Sequence, residues 1–428
     1  MSGFRRSGSG VRPPDSSDRE AVAAIWRIES ARIVGALARY TGDFALAEDL
    51  AQEALAEALV NWPREGVPRN PAGWLLTVGR RRAIDGFRRR AALDERYSVL
   101  ARELGEDGVG GDVLWDPDQI DDDVLALMFI SCHPVLSREA RVALTLRVVG
   151  GLTSDEIAKA FLVPTATVQA RITRAKKTLG AARVPFRVPS VQERSERLGS
   201  VLSVVYLIFT EGSSASSGGD LIRFDLAGEA QRLGRVLAHL MPNEPEAHGL
   251  LALLELTAAR FPARTGPEGE PVLLEDQDRR RWDRAAIARG RAALSRAGQL
   301  GRGLGAYGLQ ASIAECHAVA ASVEATNWER IVLLYEALGR LAPSPIVDLN
   351  RAVAVSMAQG PAAALPIVDD LLAVDALPNS HLLPTVRGEL LTRLDRPDEA
   401  RVELERAAKL CANDRERDLL LRKLAALD

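Results

Sequence analysis

The amino-acid sequence predicts an all-α protein, in which two helical modules joined by an acidic linker are followed by an α-solenoid domain. Three observations favour this. Apolar residues recur at helical spacing in both halves of the chain, and residues 153–179 have a helix-turn-helix pattern. From Asn327 onward, similar helices recur at intervals of about 34 to 37 residues. The 428 residues suggest two to four domains.

The helix-turn-helix pattern begins at Thr153, which with Glu156 three residues later forms a capping box and predicts a helix from Ser154. Pro164 ends that helix, because the residue before a proline disfavours helical backbone. A second helix is predicted from about Thr165 to Leu179. Its buried stripe has spacings of four, three and four residues and comprises Val168, Ile172, Ala175 and Leu179.

The opposite face of the second helix is polar and basic. No Asp or Glu occurs between residues 157 and 192, so this stretch carries a local positive field although the whole chain has a net charge of only −3. Such a face favours DNA binding; the alternative is a helical hairpin whose basic side is merely solvated. The residues on this face are Thr165, Thr167, Gln169, Arg171, Thr173, Arg174, Lys176 and Lys177.

Composition restricts the class of protein. Apolar residues make up 47% and charged residues 26% of the chain, values that are ordinary for a soluble globular protein. No apolar run has transmembrane length, and residues 1–19 are polar and predicted to be a disordered tail without a signal peptide. The three cysteines are isolated, which favours a reducing cytoplasm. Cys132 and Cys316 each precede a His, but adjacent residues do not share a helix face, so we expect no metal site and no cofactor.

Residues 20–91 form the first predicted module. One amphipathic helix carries Ile25, Ile28, Ile33, Leu37 and Tyr40, and a second has an outward acidic face of Glu48, Asp49, Gln52, Glu53 and Glu57. Residues 61–71 contain three prolines and a glycine and predict a loop. The helix that follows, to about Arg90, is rich in arginine; with Trp62 and Trp74 nearby it suits single-stranded nucleic acid, although a core role is the better interpretation of Trp74.

Residues 92–123 are predicted to be a flexible linker. Nine acids lie between Glu103 and Asp123 with no basic residue among them, so this segment should not fold alone. Residues 124–183 then form the second module. Core candidates in the helices ahead of the helix-turn-helix are Leu125, Leu127, Met128, Phe129, Leu136, Val142, Leu144 and Leu146.

The order of these features resembles a bacterial RNA polymerase sigma factor of the extracytoplasmic-function group, group IV. The resemblance covers about residues 21–183 and is carried by the helix AEDLAQEALAEAL, the proline-rich loop, the helix NPAGWLLTVGRRRAIDGFRRR and the helix-turn-helix. It implies that residues 20–91 correspond to region 2 and residues 124–183 to region 4, with core RNA polymerase and promoter DNA as partners.

The resemblance also implies roles for individual residues. The helix that docks on the polymerase clamp would contribute Asp49, Gln52 and Glu53. Contacts to the −10 element would come from Asn61, Trp62, Arg69, Asn70, Arg80, Arg81, Arg82, Arg88 and Arg89, with Asp85 on the same helix. Recognition of the −35 element would involve Gln169, Ala170, Arg171, Thr173 and Arg174, while Lys176 and Lys177 would position the DNA backbone. The acidic linker would thread near the active-centre channel of the polymerase.

The C-terminal half departs from a minimal member of that group, which would end near Arg183. Residues 190–428 read as helices throughout, and the helices at 328–344, 360–376 and 397–413 repeat with the period of tetratricopeptide units. The segments YLIFTEG, LLALLELTAARFPAR, LLEDQDRRRWD and PSPIVDLNRAVA make this half similar to the tail of a sigma-factor subgroup with tetratricopeptide-like extensions, in which the fused tail is thought to control activity. Inter-helix packing is the better interpretation of these segments from their residues alone. Candidates for a polar seam, either within the tail or against the sigma modules, are Asp276, Asp278, Arg279, Arg280, Trp282 and Asp283.

The leading functional hypothesis is a promoter-specificity factor without enzymatic activity of its own, modulated by its helical-repeat domain. That domain offers a surface for a protein partner or for contact within the chain, and no membrane association is expected. The alternative is a stand-alone helix-turn-helix regulator with a helical sensor domain; the −10-type module argues against it. A nucleotide-driven switch would need a Walker-type glycine-rich loop, which the sequence lacks. The direction of the tail's effect is not encoded in any motif.

Overall fold

A computed structural model describes residues 16–91, 117–213, 222–267 and 270–427. These residues form α-helices connected by short turns, with two short 3₁₀ turns and no strand among them. The chain divides into two compact units, residues 1–204 and 205–428. The division falls inside one helix, Val191–Ser213. No helix among the described residues is long and apolar enough to cross a membrane.

The first unit contains two modules. The first module is three helices: α1 Ser16–Thr41, α2 Phe44–Glu65 and α3 Pro71–Ala91. The second is four: α4 Pro117–Ser131, α5 Arg138–Val148, α6 Ser154–Ala160 and α7 Thr165–Ala181. Helix α8, Val191–Ser213, begins in this unit. Ser200 on α8 accepts a hydrogen bond from Arg141 at 2.7 Å and donates one to the Cys132 carbonyl at 2.6 Å. The start of α8 is therefore tied to the second module.

The helix-turn-helix has the predicted structure. Thr153 and Glu156 form the capping box, and α6 begins at Ser154. The turn is made possible by Leu162, which adopts a positive φ of 51° two residues before Pro164. The predicted stripe of α7 is buried in full: Val168, Ile172, Ala175 and Leu179. The eight core candidates of α4, α5 and their connection are also buried.

Several predictions for the first module are wrong in detail. Ile28 was expected in the core but is 67% exposed, because α1 presents Val22 and Trp26 to the module instead. Glu48 was expected in solvent and is 3% exposed. Helix α2 continues through Pro63 to Glu65, so Asn61 and Trp62 are helical and the loop is shorter than predicted. Helix α4 of the second module begins at Pro117, within the segment 92–123 that was predicted to be a flexible linker.

Two predicted segments lie outside the described residues. These are the N-terminal tail as far as residue 15 and the acidic linker from 92 to 116. Helix α1 begins at Ser16, four residues before the first module was predicted to start at residue 20.

Among the described residues, the second unit contains the end of α8 and eleven further helices. They are α9 Phe224–Leu240, α10 Pro245–Ala258, α11 Phe261–Arg264, α12 Arg284–Gln299, α13 Ala306–Val319, α14 Trp328–Leu341, α15 Pro345–Gln359, α16 Pro361–Ala373, α17 Leu382–Arg393, α18 Pro397–Leu410 and α19 Asp414–Ala425. From α13 onward each helix packs on its neighbours in sequence. Successive packing of this kind is expected of stacked helix pairs; the tetratricopeptide assignment itself stays a prediction.

The candidate polar seam lies within the second unit and serves inter-helix packing. Trp282 is 2% exposed, with the Arg279 guanidinium 4.5 Å and the Arg260 guanidinium 5.5 Å from its ring centre. Arg279 also donates to the carbonyls of His317 and Ala320, each at 2.8 Å. Asp278 and Asp283 cap the turn and helix that follow them. Asp276 ends a 3₁₀ turn, and Arg280 pairs with Asp278.

The same region makes one histidine sensitive to pH. Burial of His317, followed by the nearby charges of Arg260 and Arg279, lowers its imidazole pKa to about 4. Its ring packs edge-on against Trp328, with centroids 5.2 Å apart. A lowered pKa means that the unfolded chain binds the proton more readily, so stability falls as pH drops from about 6.5 toward 4.

We expect this group to account for about 2–3 kcal/mol of the stability lost by the second unit between pH 6.5 and 4. His317→Gln should flatten the dependence of its unfolding free energy on pH in that window, measured by denaturant titration. His248→Gln, on α10, is the control and should keep the parental slope. An unchanged slope in His317→Gln would contradict the assignment.

Candidate nucleic-acid and polymerase interface

Helix α7 turns a polar surface outward. Exposed side chains along it include Gln169, Ala170, Thr173, Arg174 and Lys177, while Thr165, Thr167 and Arg171 are half-buried. The buried stripe fixes this orientation, because burial of residues four and three apart leaves only the opposite face for solvent. At the start of the helix, Thr165 donates a hydrogen bond to Asp155 at 2.8 Å. Arg174 lies along the helix and donates to the Ala170 carbonyl at 3.2 Å.

Lys176 differs from the other basic residues of α7. Its side chain is only 15% exposed, and its ammonium lies 2.8 Å from a Glu48 oxygen and 2.5 Å from an Asp49 oxygen. Burial lowers the pKa of this ammonium, but the two carboxylates outweigh that effect and hold the pKa above its usual value. Lys176 was expected to position the DNA backbone; in this arrangement it faces the first module instead.

Glu48 is the centre of a charge cluster that joins the two modules. We call Glu48, Asp49, Arg147 and Lys176 the Glu48 cluster. The Glu48 carboxylate accepts hydrogen bonds from Arg147 at 3.2 Å and Lys176 at 2.8 Å, so each of its oxygens has a cationic partner. Arg147 also donates to the Leu152 carbonyl in the turn ahead of the helix-turn-helix. The acidic face of α2, expected to be solvated, is therefore partly covered by α5 and α7.

Other contacts between the modules lie along α1. Arg27 pairs with Glu156 of the capping box. Arg39 pairs with Asp123 on α4 at 3.1 Å; burial raises the Asp123 pKa, and the Arg39 hydrogen bond opposes that shift. Gly151 has φ +68°, and a Cβ there would lie 2.6 Å from the Ser30 hydroxyl. Only glycine meets both requirements at this close approach.

The arginines of α3 fall into three environments. Arg81 and Arg82 pair with Glu57 and Glu53 on α2, at distances from 2.8 to 3.0 Å. The hydrogen bond that Arg82 donates to Glu57 is the main cause that raises the pKa of Arg82. The Arg80 guanidinium lies 5.1 Å from the centre of the Tyr40 ring.

The third environment is open. Arg88 and Arg89 are exposed at the C-terminal end of α3, and Arg89 donates to the Asp85 carbonyl at 3.3 Å. Between α2 and α3 lies an open cleft of about 440 Å³. Its lining comprises Leu46, Leu50, Glu53, Arg81, Arg82, Ala83, Asp85, Gly86, Phe87 and Arg89.

The proline-rich loop is short and well anchored. Gly66, with φ +90°, ends α2, and the Asn70 side chain accepts a hydrogen bond from the Gly73 amide at 2.9 Å. Arg69 and Asn70 are exposed. Trp62 is 4% exposed and packs edge-on against the half-buried Trp74 at 5.4 Å. Trp62 was expected to contact DNA; its ring is instead enclosed beneath the loop, and Asn61 is half-buried beside it.

Residues predicted to dock on polymerase lie on the outer side of α2. Asp49 is 62% exposed and Glu53 54% exposed, yet each is engaged in an ion pair, Asp49 with Lys176 and Glu53 with Arg82. Gln52 is half-buried. The sequence did not predict that Arg147 pairs with Glu48 or that Arg27 pairs with Glu156. The pattern of residues within one helix does not reveal an ion-pair partner from another module.

Glu48→Gln should destabilise the first unit by roughly 3–5 kcal/mol, because two partly buried cations would lose their carboxylate. Hydrogen exchange of the α2 amides in the full chain measures this. Glu53→Gln, on the same helix but exposed, is the matched control and should cost less than about 1 kcal/mol. Equal protection of α2 in both variants would refute a structural role for Glu48.

Both modules match known protein families. Residues 27–92 match Sigma-70 region 2, and residues 126–179 match Sigma-70 region 4. Residues 197–298 match a family of unknown function, DUF6596. The matches to regions 2 and 4 coincide with the first and second modules.

Relatives extend the comparison to the whole chain. An uncharacterized protein of Rhizobium meliloti is 45% identical over 392 residues, which cover 89% of each chain. The probable ECF RNA polymerase sigma factor SigI of Mycobacterium tuberculosis is 28% identical over 206 residues, 48% of this chain and 66% of that protein. The ECF RNA polymerase sigma factor SigK of Mycolicibacterium vanbaalenii is 28% identical over 189 residues, 40% of this chain and 88% of that protein. The chain therefore belongs to the family of the Rhizobium meliloti protein, with ECF-like Sigma-70 regions 2 and 4 in its N-terminal half.

Proposed function

We propose that this protein binds core RNA polymerase and directs it to specific promoters, and that its C-terminal helical domain modulates this activity. The observation that carries the proposal is the presence of regions 2 and 4 in one chain, in that order, each folded with an outward polar face. A regulator that only binds duplex DNA needs the helix-turn-helix but has no use for region 2. Catalysis in this proposal belongs to the polymerase.

The −35 element would be read by α7. Arg171 and Arg174 would bridge guanine O6 and N7 in the major groove, and Gln169 would pair with adenine. Thr165, Thr167, Ala170 and Thr173 would line the contact, and Lys177 would neutralise backbone phosphate. Exposure of Gln169, Ala170, Thr173, Arg174 and Lys177 supports this assignment.

The −10 element would lie along α3 and the loop ahead of it. Arg69, Asn70, Arg88 and Arg89 are exposed and suit the backbone and flipped bases of a melted strand. Arg80, Arg81 and Arg82 would act beside them, and Arg81 and Arg82 would first have to exchange their carboxylate partners for phosphate. Asn61 and the enclosed Trp62 would support the loop.

Polymerase docking would require a change in the Glu48 cluster. Asp49 is assigned to the polymerase and Lys176 to the DNA backbone, yet the two side chains pair with each other. Both roles become available only when α7 separates from α2. The described arrangement of the first unit would therefore be a resting form, and core polymerase would compete with Lys176 for Asp49.

The C-terminal domain would act on the equilibrium between this resting form and the form in which α7 is separated from α2. Its helices from α13 onward stack in sequence, which gives an extended surface for a protein partner or for the sigma regions themselves. A domain that favours the separated form would activate, and one that favours the resting form would inhibit.

Run-off transcription with purified core polymerase tests the proposal, on promoters selected from random DNA by the full chain and core together. The full chain is compared with a chain ending at Ser213, where α8 is complete. We expect core-dependent initiation with a defined start site. More transcript from the shorter chain would make the C-terminal domain an inhibitor, and less would make it an activator.

Two outcomes would count against parts of this proposal. Equal transcription by the two chains would remove the regulatory role of the C-terminal domain. If the full chain bound duplex DNA but not core polymerase, the stand-alone regulator would replace the sigma factor.

Lys176→Ala and Lys177→Ala separate the resting form from DNA binding. The two lysines are neighbours of equal charge, but only Lys176 reaches Asp49 and Glu48. In the absence of DNA, Lys176→Ala should bind core polymerase about 3–10-fold more tightly than the parent, because Asp49 no longer has an internal partner. Lys177→Ala should match the parent. Weaker binding by Lys176→Ala than by Lys177→Ala would show that the pair does not compete with polymerase.

A further inference from the structure

Three side chains with metal-binding chemistry meet at the C-terminal end of the second unit. His381 lies at the start of α17, Cys411 immediately after α18, and Glu416 in the first turn of α19. One ligand atom from each lies within 4.8 Å of the other two. The His381 Nε2 atom is 3.4 Å and the Cys411 sulfur 4.0 Å from the same Glu416 oxygen.

These separations are close to those that one small cation would impose. Ligand bonds of about 2.0–2.3 Å in a tetrahedral site place the ligand atoms between about 3.3 and 3.7 Å apart. The observed distances therefore require side-chain adjustments of about 1 Å and no movement of the helices. Imidazole, thiolate and carboxylate form a mixed donor set that suits zinc and does not suit magnesium or calcium.

We propose that His381, Cys411 and Glu416 bind one zinc-class divalent cation at the junction of the last three helices. With three protein ligands, the fourth tetrahedral position would hold water or a donor from a partner. Binding would convert the Cys411 thiol to a thiolate and release its proton to solvent, while His381 would coordinate as the neutral imidazole.

The surroundings of Cys411 support a site that is formed on binding. The thiol is 4% exposed and donates to the Asn413 carbonyl at 3.4 Å. Asn413 also caps α19 by accepting from the amides of Arg415 and Glu416. The connection between α18 and α19 is thus held in the shape that brings Cys411 and Glu416 together.

A cation at this place would stabilise the least supported helix of the second unit. Among the residues of α19, only Leu420 is buried. It packs with Leu404, Ala407, Ala408 and Cys411 in a small cluster. Ligation would connect α19 to α17, which also share an ion pair between Lys423 and Glu389. The inference does not depend on the sigma-factor proposal.

The test uses the reduced full-length chain titrated with Zn²⁺ and with Co²⁺ as a spectroscopic probe. We expect one equivalent to bind, a thiolate-to-cobalt charge-transfer band, and a rise in the melting temperature of the second unit by about 5–10 °C at Zn²⁺ 100-fold above its dissociation constant. Cys411→Ser should abolish the band. Glu416→Gln and His381→Asn should each weaken Zn²⁺ binding by more than the roughly 10–100-fold that outer-shell changes cost.

Cys316→Ser is the matched control, because Cys316 is also buried and also lies beside a histidine, His317. This variant should keep the band, the stoichiometry and the thermal shift. Absence of stoichiometric Zn²⁺ binding to the parent would overturn the proposal. Equal loss in Cys316→Ser and Cys411→Ser would overturn it as well, and circular dichroism of each variant shows that the helices are intact.

Discussion

Burial of the Glu48 carboxylate is the constraint on which the first unit depends. A carboxylate that is 3% exposed needs cationic or hydrogen-bonding partners, since an unpaired buried charge costs several kcal/mol. Both partners, Arg147 and Lys176, come from the second module. The first module alone would therefore leave Glu48 in water. In the described arrangement, Glu48 can be both charged and buried only because the second module supplies its cationic partners.

The pairing of Glu48 connects stability to function, because the residues of the Glu48 cluster are next to those proposed to bind polymerase and DNA. Asp49 follows Glu48 in sequence and shares the same lysine. Separation of the modules would return Glu48 and Lys176 to water, where each is well solvated. The cost of opening is therefore moderate: lost ion pairs are offset by recovered hydration. A charge cluster of this kind suits a contact that a partner has to displace, whereas an apolar interface would resist opening.

The sequence predicted features whose causes are local. Spacing of Val168, Ile172, Ala175 and Leu179, the capping box at Thr153 and the order of helices depend on residues within one or two turns. Glu48 and Ile28 were assigned wrongly for the opposite reason. The partners of Glu48 are 99 and 128 residues away, and helical periodicity alone assigns any charged residue to solvent. Trp62 was predicted to lie in a loop because Pro63 follows it, yet α2 continues through Pro63 and the Trp62 ring packs against Trp74.

The second unit uses the same arrangement at Glu255, which is 1% exposed and paired with Arg235 from α9 and Arg289 from α12. There too, one buried carboxylate joins helices that flank its own. Helix α19 has less apolar support than these helices, since only Leu420 among its residues is buried. At His381, Cys411 and Glu416, a bound cation would take the place that an arginine occupies at Glu255 and would join α19 to the helices beside it.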